Sequence, residues 1–429
     1  MCIRDSPSSG TNPAVDVAST DRFIIPAAAA YSYTVQNAAE FAFNFGQDPS
    51  FSGRTTAGTD SDSNGKGLFK YLPPSDFLSL CSDNLPTPTI PDPGKHFKAL
   101  LYQGNTDQVR PVVGAGFAPD FVWQKDRIAA NWHRITDSVR GNYTLYTNAT
   151  TVEALAESNG HICSLDSDGF TADRGSGPGD ATNGSGKYVG WCWKAGGPTV
   201  KNTKGNIESQ VSVNQTAGFS IVSYTGNGGA TGTTVGHGLE KAPSFIIAKN
   251  RDSTFNWPTY HIGTSNIGNS AADVVYMDLT APGGSDNIRD VNDDTFGLLA
   301  WGGTNENGSK FIAYCWQEIE GFSRFGSYLG NGNGDGSFVY CGFKPAWVLI
   351  KNIDASGQWV IWDSSRNPYN EMQDGLRPNV NDVETDGFQF DFYSNGFKAR
   401  DTETSVNTNG ERFIYAAFAE SPFKTANAK

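Results

Sequence analysis

Apolar side chains come in short runs along most of this chain, and turn-forming residues separate the runs. The runs hold about four to eight residues, either continuous or alternating with polar positions, and Asn-Gly, Asp-Gly, Gly-Asn or Gly-Pro pairs lie between them. Runs of this length with such boundaries are typical of β-strands joined by tight turns. The 3.6-residue period of an amphipathic helix is nearly absent. The pattern therefore predicts an all-β protein of antiparallel strands.

The same succession of runs occurs three times. Each copy opens on a Tyr-x-Gly-Asn motif, continues to an apolar run that ends in lysine, and closes on an aromatic run after an Asn-Gly pair. The three sets of opening tyrosine, lysine and closing aromatic residue are Tyr102, Lys125 and Trp193; Tyr224, Lys249 and Trp316; and Tyr328, Lys351 and Phe418. The opening and closing residues lie 91, 92 and 90 positions apart. Independent segments would not agree so closely, and the sequence therefore predicts a triplicated unit.

A unit of about 90 residues with some seven short strands is large enough to enclose a core of its own. A two-layer sandwich fits this length better than a barrel, although the sequence leaves both open. We predict tandem antiparallel β-sandwiches at residues 95–197, 218–320 and 321–429. A polar linker is predicted at 198–217, between the first and second copies.

Charge and cysteine content narrow the function classes. The 429 residues include 32 Lys and Arg against 45 Asp and Glu, a formal net charge of −13. A nucleic-acid partner is not expected, because phosphate contacts need clustered cations. No apolar run reaches the 18 residues of a membrane-spanning helix, so no membrane partner is expected either. The six cysteines form no CxxC pair, and neither a disulfide scaffold nor a zinc site is predicted.

Two parts of the chain resemble phage proteins. Asn44-Phe45-Gly46-Gln47, Leu80-Cys81 and Asn84-Leu85-Pro86 resemble the C-terminal end of a SPRY domain as found in phage tail proteins. Lys95–Tyr102, the three copies and the closing stretch Phe413–Pro422 resemble the C-terminal repeats of tail-fibre-like proteins from marine phages. The resemblance implies concanavalin A-like or jelly-roll-like sandwiches after a partial SPRY-like segment with a Pro-rich linker at 1–94.

The same resemblance implies a role on the virion. The chain is expected to be a structural protein of a phage tail fibre that takes part in attachment to a bacterial host. Its expected partners are a host cell-surface glycan or receptor and other tail proteins, and fibre proteins of this kind commonly form homotrimers. A whole SPRY domain needs more residues upstream, and Met1–Ser6 resembles translated sequencing-adapter read-through. We therefore expect the natural protein to be longer at its N-terminus.

One recurring set of aromatic and polar residues is the candidate ligand site. It comprises Trp132, Asp137 and Arg140 in the first copy, Trp257 and His261 in the second, and Trp359, Asp363 and Arg366 in the third. An indole can stack on the apolar face of a sugar ring while Asp and Arg bind its hydroxyl groups. The alternative is a core tryptophan beside an Asp–Arg pair that holds a turn. The sequence leaves both interpretations open.

No catalytic motif stands out. None of the five histidines lies in an HExxH motif, and neither a GxSxG motif nor a phosphate-binding loop is present. Residues 60–65 match the first half of a calcium loop, but its twelfth position is Tyr71 rather than Glu, so we predict a polar loop without metal or cofactor. We expect a non-enzymatic protein. The alternatives are a carbohydrate-active enzyme with two facing carboxylates and a secreted bacterial adhesin.

Overall fold

The computed structural model describes residues 43–177, 181–229, 232–264, 274–283 and 287–426. The chain divides into two compact units, residues 1–87 and 88–429. The division falls within the Pro-rich stretch 86–93. The Met1–Ser6 stretch lies outside the described residues.

In the first unit, side chain to backbone hydrogen bonds organise the described residues. The regular elements of residues 43–87 are a 3-10 turn, Ser82–Asn84, and one isolated bridge. The carboxylate of Asp62 is nearly buried, and it accepts hydrogen bonds from the backbone amides of Lys66 and Ser79 and from the side-chain amide of Asn84. Asp62 therefore connects residues of this segment that lie up to 22 positions apart in sequence.

Two antiparallel sheets form repeat 1, which follows a 3-10 turn at Pro93–Lys95. Its strands are β1 (Phe97–Gln103), β2 (Val109–Val113), β3 (Phe121–Asp126), β4 (Arg134–Asp137), β5 (Gly141–Tyr146), β6 (Ala154–Leu155), β7 (His161–Asp166), β8 (Gly169–Asp173) and β9 (Lys187–Trp193). The large sheet has the order β1-β9-β3-β4-β5-β6, and the small sheet has the order β2-β8-β7.

Repeat 2 has the same two sheets with two further strands at its start. Its strands are β10 (Val200–Asn202), β11 (Ser209–Asn214), β12 (Phe219–Thr225), β13 (Thr233–Gly236), β14 (Phe245–Asn250), β15 (Pro258–His261), β16 (Val274–Tyr276), β17 (Ile288–Arg289), β18 (Thr295–Leu298) and β19 (Lys310–Trp316), with a 3-10 turn at Ile262–Thr264 and a short helix α1 (Gly302–Asn305). The sheets have the orders β10-β11-β12-β19-β14-β15-β16 and β13-β18-β17.

The stretch 198–217, expected to be a linker, thus contains two strands of the large sheet. β11 pairs with β12, because Val211 and Val213 alternate with polar residues and place an apolar face on the core of repeat 2.

Repeat 3 has fewer strands in its large sheet. Its strands are β20 (Ser323–Leu329), β21 (Phe338–Tyr340), β22 (Phe343–Asn352), β23 (Trp359–Asp363), β24 (Phe390–Tyr393), β25 (Gly396–Ala399) and β26 (Arg412–Pro422), followed by a 3-10 turn at Phe423–Thr425. The sheets have the orders β20-β26-β22-β23 and β21-β25-β24.

The three repeats share one strand order. In each large sheet the opening strand pairs with the closing strand, and the closing strand pairs with the strand that carries the recurring lysine. That strand in turn pairs with the next one along the chain. The small sheets also match, since in each of them the last strand along the chain (β8, β18 or β25) lies between the other two. The prediction of an all-β protein with tandem antiparallel sandwich repeats is confirmed.

The Tyr-x-Gly-Asn motif fastens the opening strand of each repeat to the loop before its closing strand. The Tyr102 hydroxyl donates a 2.9 Å hydrogen bond to the carbonyl oxygen of Thr182, and Tyr224 and Tyr328 make the equivalent bonds. The motif glycine has no room for a side chain, because a Cβ at Gly104 would overlap the backbone of Gly184. The motif is therefore explained by packing and hydrogen bonding.

Alternate residues of each large sheet enter two different cores. In repeat 1, Val122 and Cys192 pack towards the small sheet, whereas Phe121 and Trp193 point to the opposite face. That opposite face joins a central core to which all three repeats contribute. Trp193 of repeat 1 lies 5.5 Å from Trp347 of repeat 3, ring centre to ring centre. Repeats 1 and 2 therefore each have a core of their own beside the shared one, whereas the core between the sheets of repeat 3 is continuous with the shared core.

Candidate functional site

Seven of the eight candidate ligand residues are buried, and Trp132 is the exposed one. Asp137 and Arg140 form an ion pair of 2.5 Å between two fully buried side chains, and Asp363 and Arg366 form the same pair in repeat 3. The Asp137 carboxylate also accepts a hydrogen bond from the backbone amide of Arg140, and this bond closes the turn after β4. The Asp–Arg pairs hold turns in both repeats.

Each pair contacts the closing strand of another repeat. The Tyr314 hydroxyl of repeat 2 donates a 2.7 Å hydrogen bond to Asp137. At the equivalent position of repeat 1, the indole N–H of Trp191 donates a 2.9 Å hydrogen bond to Asp363 of repeat 3. The Arg366 guanidinium also lies 5.8 Å from the centre of the Trp191 ring, within the range of a cation–π contact.

A glutamate–arginine contact accompanies each of these two pairs. The carboxylate of Glu153 accepts two 2.8 Å hydrogen bonds from Arg251 of repeat 2, and its backbone amide donates to the Arg251 carbonyl at 3.1 Å. Glu384 of repeat 3 makes the equivalent contacts to Arg127 of repeat 1. Repeat 1 thus binds repeat 2 in the same way as repeat 3 binds repeat 1.

The contact between repeats 2 and 3 is neutral where the other two are ionic. His261 occupies the place of Asp137, and its Nε2 lies 2.9 Å from the carbonyl oxygen of Tyr415. Burial lowers the pKa of His261 to about 4, so the imidazole is uncharged at neutral pH. Trp359 of repeat 3 adds a 2.9 Å hydrogen bond to the Tyr276 carbonyl of repeat 2. With this third contact, the three repeats close a ring.

Strand register shows that His133, not Trp132, is the equivalent of Trp257 and Trp359. Phe121 pairs with Asp137, Phe245 with His261, and Trp347 with Asp363, which aligns the three strands. Four residues before the last member of each pair stand His133, Trp257 and Trp359. The His133 imidazole is buried and accepts a hydrogen bond from Trp123 at 3.2 Å. Trp132 is one position out of this register, and its indole is free to face solvent.

Trp132 lines a pocket of about 380 Å³ that belongs to repeat 1. Its ring, 40% exposed as a residue, stands edge-on to Tyr146 with the ring centres 5.0 Å apart. The Arg134 guanidinium lies 5.3 Å from the centre of the Tyr146 ring and donates a 2.9 Å hydrogen bond to the Trp132 carbonyl. A buried aromatic ring and a buried cation therefore fix the exposed indole.

Polar groups surround the indole. Glu157, Asn131, Asn159 and Thr151 line the pocket, and the Thr151 hydroxyl is buried without a hydrogen-bond partner in the described part of the protein. The pKa of Tyr146 is raised to about 12, mainly because the phenol is buried. The nearby charge of Arg134 lowers this pKa, whereas a hydrogen bond with Glu157 raises it further. The phenol therefore keeps its proton at neutral pH. The pocket offers an apolar ring face beside hydrogen-bond donors and acceptors, which is the chemistry that a sugar needs.

The sequence singled out Trp132 but none of the residues that build its pocket. Arg134 and Tyr146 face each other on the paired strands β4 and β5, twelve positions apart in sequence. The spacing of a hairpin with a bulge between Ile135 and Asp137 sets that pairing. A hairpin pattern after Trp132 was the signal that could have located them.

The comparisons with known proteins add a family. A family model described as "Domain of unknown function (DUF7483)" matches residues 92–422, which include all three repeats. The chain belongs to this family. No curated protein matches it. A solved structure from "The Triple Jelly Roll Fold and Turret Assembly in an Archaeal Virus" is 11% identical, with 75% of this chain and 82% of that chain covered and a TM-score of 0.11.

Each repeat of this DUF7483 chain buries the lysine that ends its apolar run. Lys249 donates to the Asn250 carbonyl at 2.8 Å and to Thr150 of repeat 1 at 3.2 Å. Lys351 donates to the Asn352 carbonyl at 2.8 Å and to Thr280 of repeat 2 at 2.9 Å.

Burial lowers the pKa of these lysines, to about 8 for Lys125 and Lys249 and to about 7 for Lys351. The ammonium groups bind carbonyl oxygens of their own turns, and two of them also bind the preceding repeat. We assign these lysines to the architecture of the DUF7483 ring.

Metal and membrane features of the DUF7483 chain can be stated for its described residues. None of their His, Cys, Asp and Glu side chains form a group of three that could hold a metal ion. In the polar loop, burial favours a higher pKa for Asp62, but hydrogen bonds from Ser79 and Lys66 outweigh it and hold that pKa well below its usual range. Within the described ranges, no helix is long and apolar enough to cross a lipid bilayer.

Proposed function

We propose that this DUF7483 chain is a non-enzymatic structural component of a phage tail fibre, located on the virion surface, and that its Trp132 pocket binds a glycan of the host cell. The resemblance of the repeats and of the closing stretch to phage tail-fibre-like proteins supports the setting. The pocket supports the binding role. Other tail proteins remain the expected partners, and assembly into a homotrimer belongs to the same proposal.

The exposed Trp132 indole is the observation that carries the binding role. Residues that recur between repeats serve the fold, as the Asp137–Arg140 and Asp363–Arg366 pairs of repeats 1 and 3 do. Trp132 does not recur, since Asn256 and Gln358 stand at the equivalent positions of repeats 2 and 3. The Trp132 side chain is large, aromatic and partly exposed, and neighbouring side chains fix its position. Because the repeat pattern does not require it, it is suited to contact a ligand.

The closed ring suits a component of a fibre. Two of the three contacts between repeats combine a buried ion pair with a hydrogen bond from an aromatic side chain, and the third adds a buried histidine. A glycan site on such a framework is rigid before it binds, so less entropy is lost when a sugar is fixed.

A glycan array followed by calorimetric titration tests the binding role. The purified chain is expected to bind at least one bacterial surface glycan, and Trp132→Ala is expected to weaken that binding at least tenfold, since tenfold corresponds to only about 1.4 kcal/mol. Trp301→Ala is the matched control, because Trp301 is a partly exposed tryptophan of repeat 2 that does not line the pocket. Absence of glycan binding, or equal loss in both variants, would overturn the proposal.

The same glycan tests for catalysis. Hydrolysis by a pair of carboxylates needs two carboxyl groups at the sugar, and Glu157 is the one carboxylate among the described residues that line the pocket. No reducing ends are expected after prolonged incubation of the glycan with the chain. Release of reducing ends that stops in Glu157→Gln would replace the binding role with a carbohydrate-active enzyme.

A further inference from the structure

A second open groove, of about 660 Å³, lies where repeat 1 meets repeat 3. Repeat 1 contributes Lys98 from β1. Repeat 3 contributes Tyr369 and Ser364 from the segment after β23, together with Lys344 and Glu420 from β22 and β26. The groove lies in the size range of small-molecule sites, and it shares no lining residue with the Trp132 pocket.

The charges of the groove leave one cation available. Lys344 and Glu420 form an ion pair of 2.7 Å, so their charges compensate each other. Lys98 is exposed on β1, and its side-chain ammonium has no carboxylate or hydrogen-bond partner among the described residues. A chain with a net charge of −13 thus carries a groove with an excess of one positive charge. This charge is complementary to an anionic ligand.

The remaining groups fit a saccharide. Tyr369 is 77% exposed at the groove and offers an aromatic face to a sugar ring. Ser364 and Ser365 both line the groove, and the Ser365 hydroxyl donates a 3.3 Å hydrogen bond to the Ala99 carbonyl, which links repeat 3 to repeat 1. The Lys344–Glu420 pair supplies both a donor and an acceptor for hydroxyl groups.

We propose that this groove binds a uronic acid residue of an acidic polysaccharide. The ammonium of Lys98 pairs with the uronate carboxylate, Tyr369 stacks on the ring face, and Ser364 with the Lys344–Glu420 pair binds the hydroxyl groups. One available lysine suits one carboxylate, whereas a nucleic acid would need several cations along its backbone. The inference rests on the proposed function, because it assigns a second sugar-binding surface to the same protein.

Affinity electrophoresis tests the groove, with polygalacturonate as the probe and dextran as the neutral polymer. The wild-type chain is expected to migrate more slowly in a gel that contains polygalacturonate and normally in one that contains dextran. Lys98→Glu and Tyr369→Ala are each expected to raise the apparent dissociation constant at least tenfold. Lys187→Glu is the matched control, because Lys187 is an exposed lysine on β9 of the same sheet, outside the groove, and is expected to migrate as wild type.

The outcomes separate this groove from the Trp132 pocket. Unchanged retardation of Trp132→Ala supports a distinct site, whereas loss of retardation in that variant would place polygalacturonate in the Trp132 pocket and overturn the assignment. If Lys98→Glu and Lys187→Glu raised the apparent dissociation constant equally, the binding of polygalacturonate would be explained by general charge attraction, and the groove would not be its site. Wild-type migration that polygalacturonate does not change would also overturn the inference, while leaving glycan binding at Trp132 to its own test.

Discussion

Tyr314 donates a 2.7 Å hydrogen bond to the carboxylate of Asp137, which lies 177 positions earlier in the chain and in another repeat. The equivalent bond, from Trp191 to Asp363, runs between repeats 1 and 3. A phenol and an indole thus serve as the same donor at two sites. The position of Tyr314 and Trp191 in the closing strands therefore requires a hydrogen-bond donor for the buried carboxylate, and either a phenol or an indole can supply it.

Breaking the Asp363–Arg366 pair tests how strongly this contact stabilises the ring. Arg366→Met is expected to lower the free energy of unfolding by about 3–5 kcal/mol, because Asp363 then keeps a buried charge without its cation. Urea denaturation of the purified chain measures the change. The control is Lys201→Met, which removes an exposed pair with Glu208 and is expected to cost roughly 0.5 kcal/mol or less. Similar losses in both variants would contradict a special role for the buried pair.

The motif glycine of repeat 2 gives a second prediction. A Cβ at Gly226 would overlap the backbone carbonyl of Glu306, so Gly226→Ala is expected to destabilise the protein by about 1–3 kcal/mol. At Gly387 the nearest atom to such a Cβ is the Thr385 hydroxyl, 3.4 Å away, and Gly387→Ala is expected to leave the melting temperature nearly unchanged. Differential scanning calorimetry of both variants measures this. A stable Gly226→Ala protein would argue against the packing explanation of the motif.

The shared core predicts that a single repeat does not fold alone. Residues 198–320, which include all strands of repeat 2, would expose Phe219, Phe245 and Trp316 when expressed without the rest, because the other repeats cover these side chains in the whole chain. We expect this fragment to bind a hydrophobic dye and to unfold without a sharp transition, whereas residues 88–429 unfold cooperatively. A well-dispersed NMR spectrum from the fragment would show that its own two-sheet core suffices.

The buried lysines predict how stability depends on pH. The folded pKa of Lys351, about 7, lies far below the value of about 10.4 in an unfolded chain. Between pH 7 and 8.5 the unfolded state therefore binds more protons, and the free energy of unfolding rises with pH. In Lys351→Met this rise is expected to be smaller by about 1 kcal/mol per pH unit near pH 7.5, as measured by denaturation in a series of buffers.

A variant of an exposed lysine serves as the control for the pH series. Lys187→Met is expected to keep the wild-type slope, since Lys187 lies exposed at the start of β9. Parallel curves for wild type and Lys351→Met would show that the Lys351 amine loses no proton on folding.

Much of the fold followed from local patterns. Turn residues between short apolar runs predicted strands, and the spacing from Tyr102 to Trp193 with its two copies predicted repetition. These signals are local, because side-chain alternation and turn chemistry depend on neighbours in sequence. The strands at 200–202 and 209–214 lie in the stretch that was expected to be a linker, because short segments rich in polar residues resemble loops in sequence.

The site depended on contacts between distant residues. The recurrence of Asp137 with Arg140 could be read from the sequence, but its partner Tyr314 could not, because the partner is chosen by the closure of the ring. Likewise, spacing alone aligned Trp132 with Trp257, whereas strand pairing places His133 there.

The sequence by itself determined the strand content, the three copies and the residues that each copy keeps, since hydrogen bonding and alternation act within one repeat. Tertiary structure decided which of these residues are buried. Packing three large sheets around one core removes most of the recurring tryptophans and Asp–Arg pairs from solvent and leaves the Trp132 indole at the surface. Exposure is a property of the whole assembly of sheets, and no local pattern can specify it.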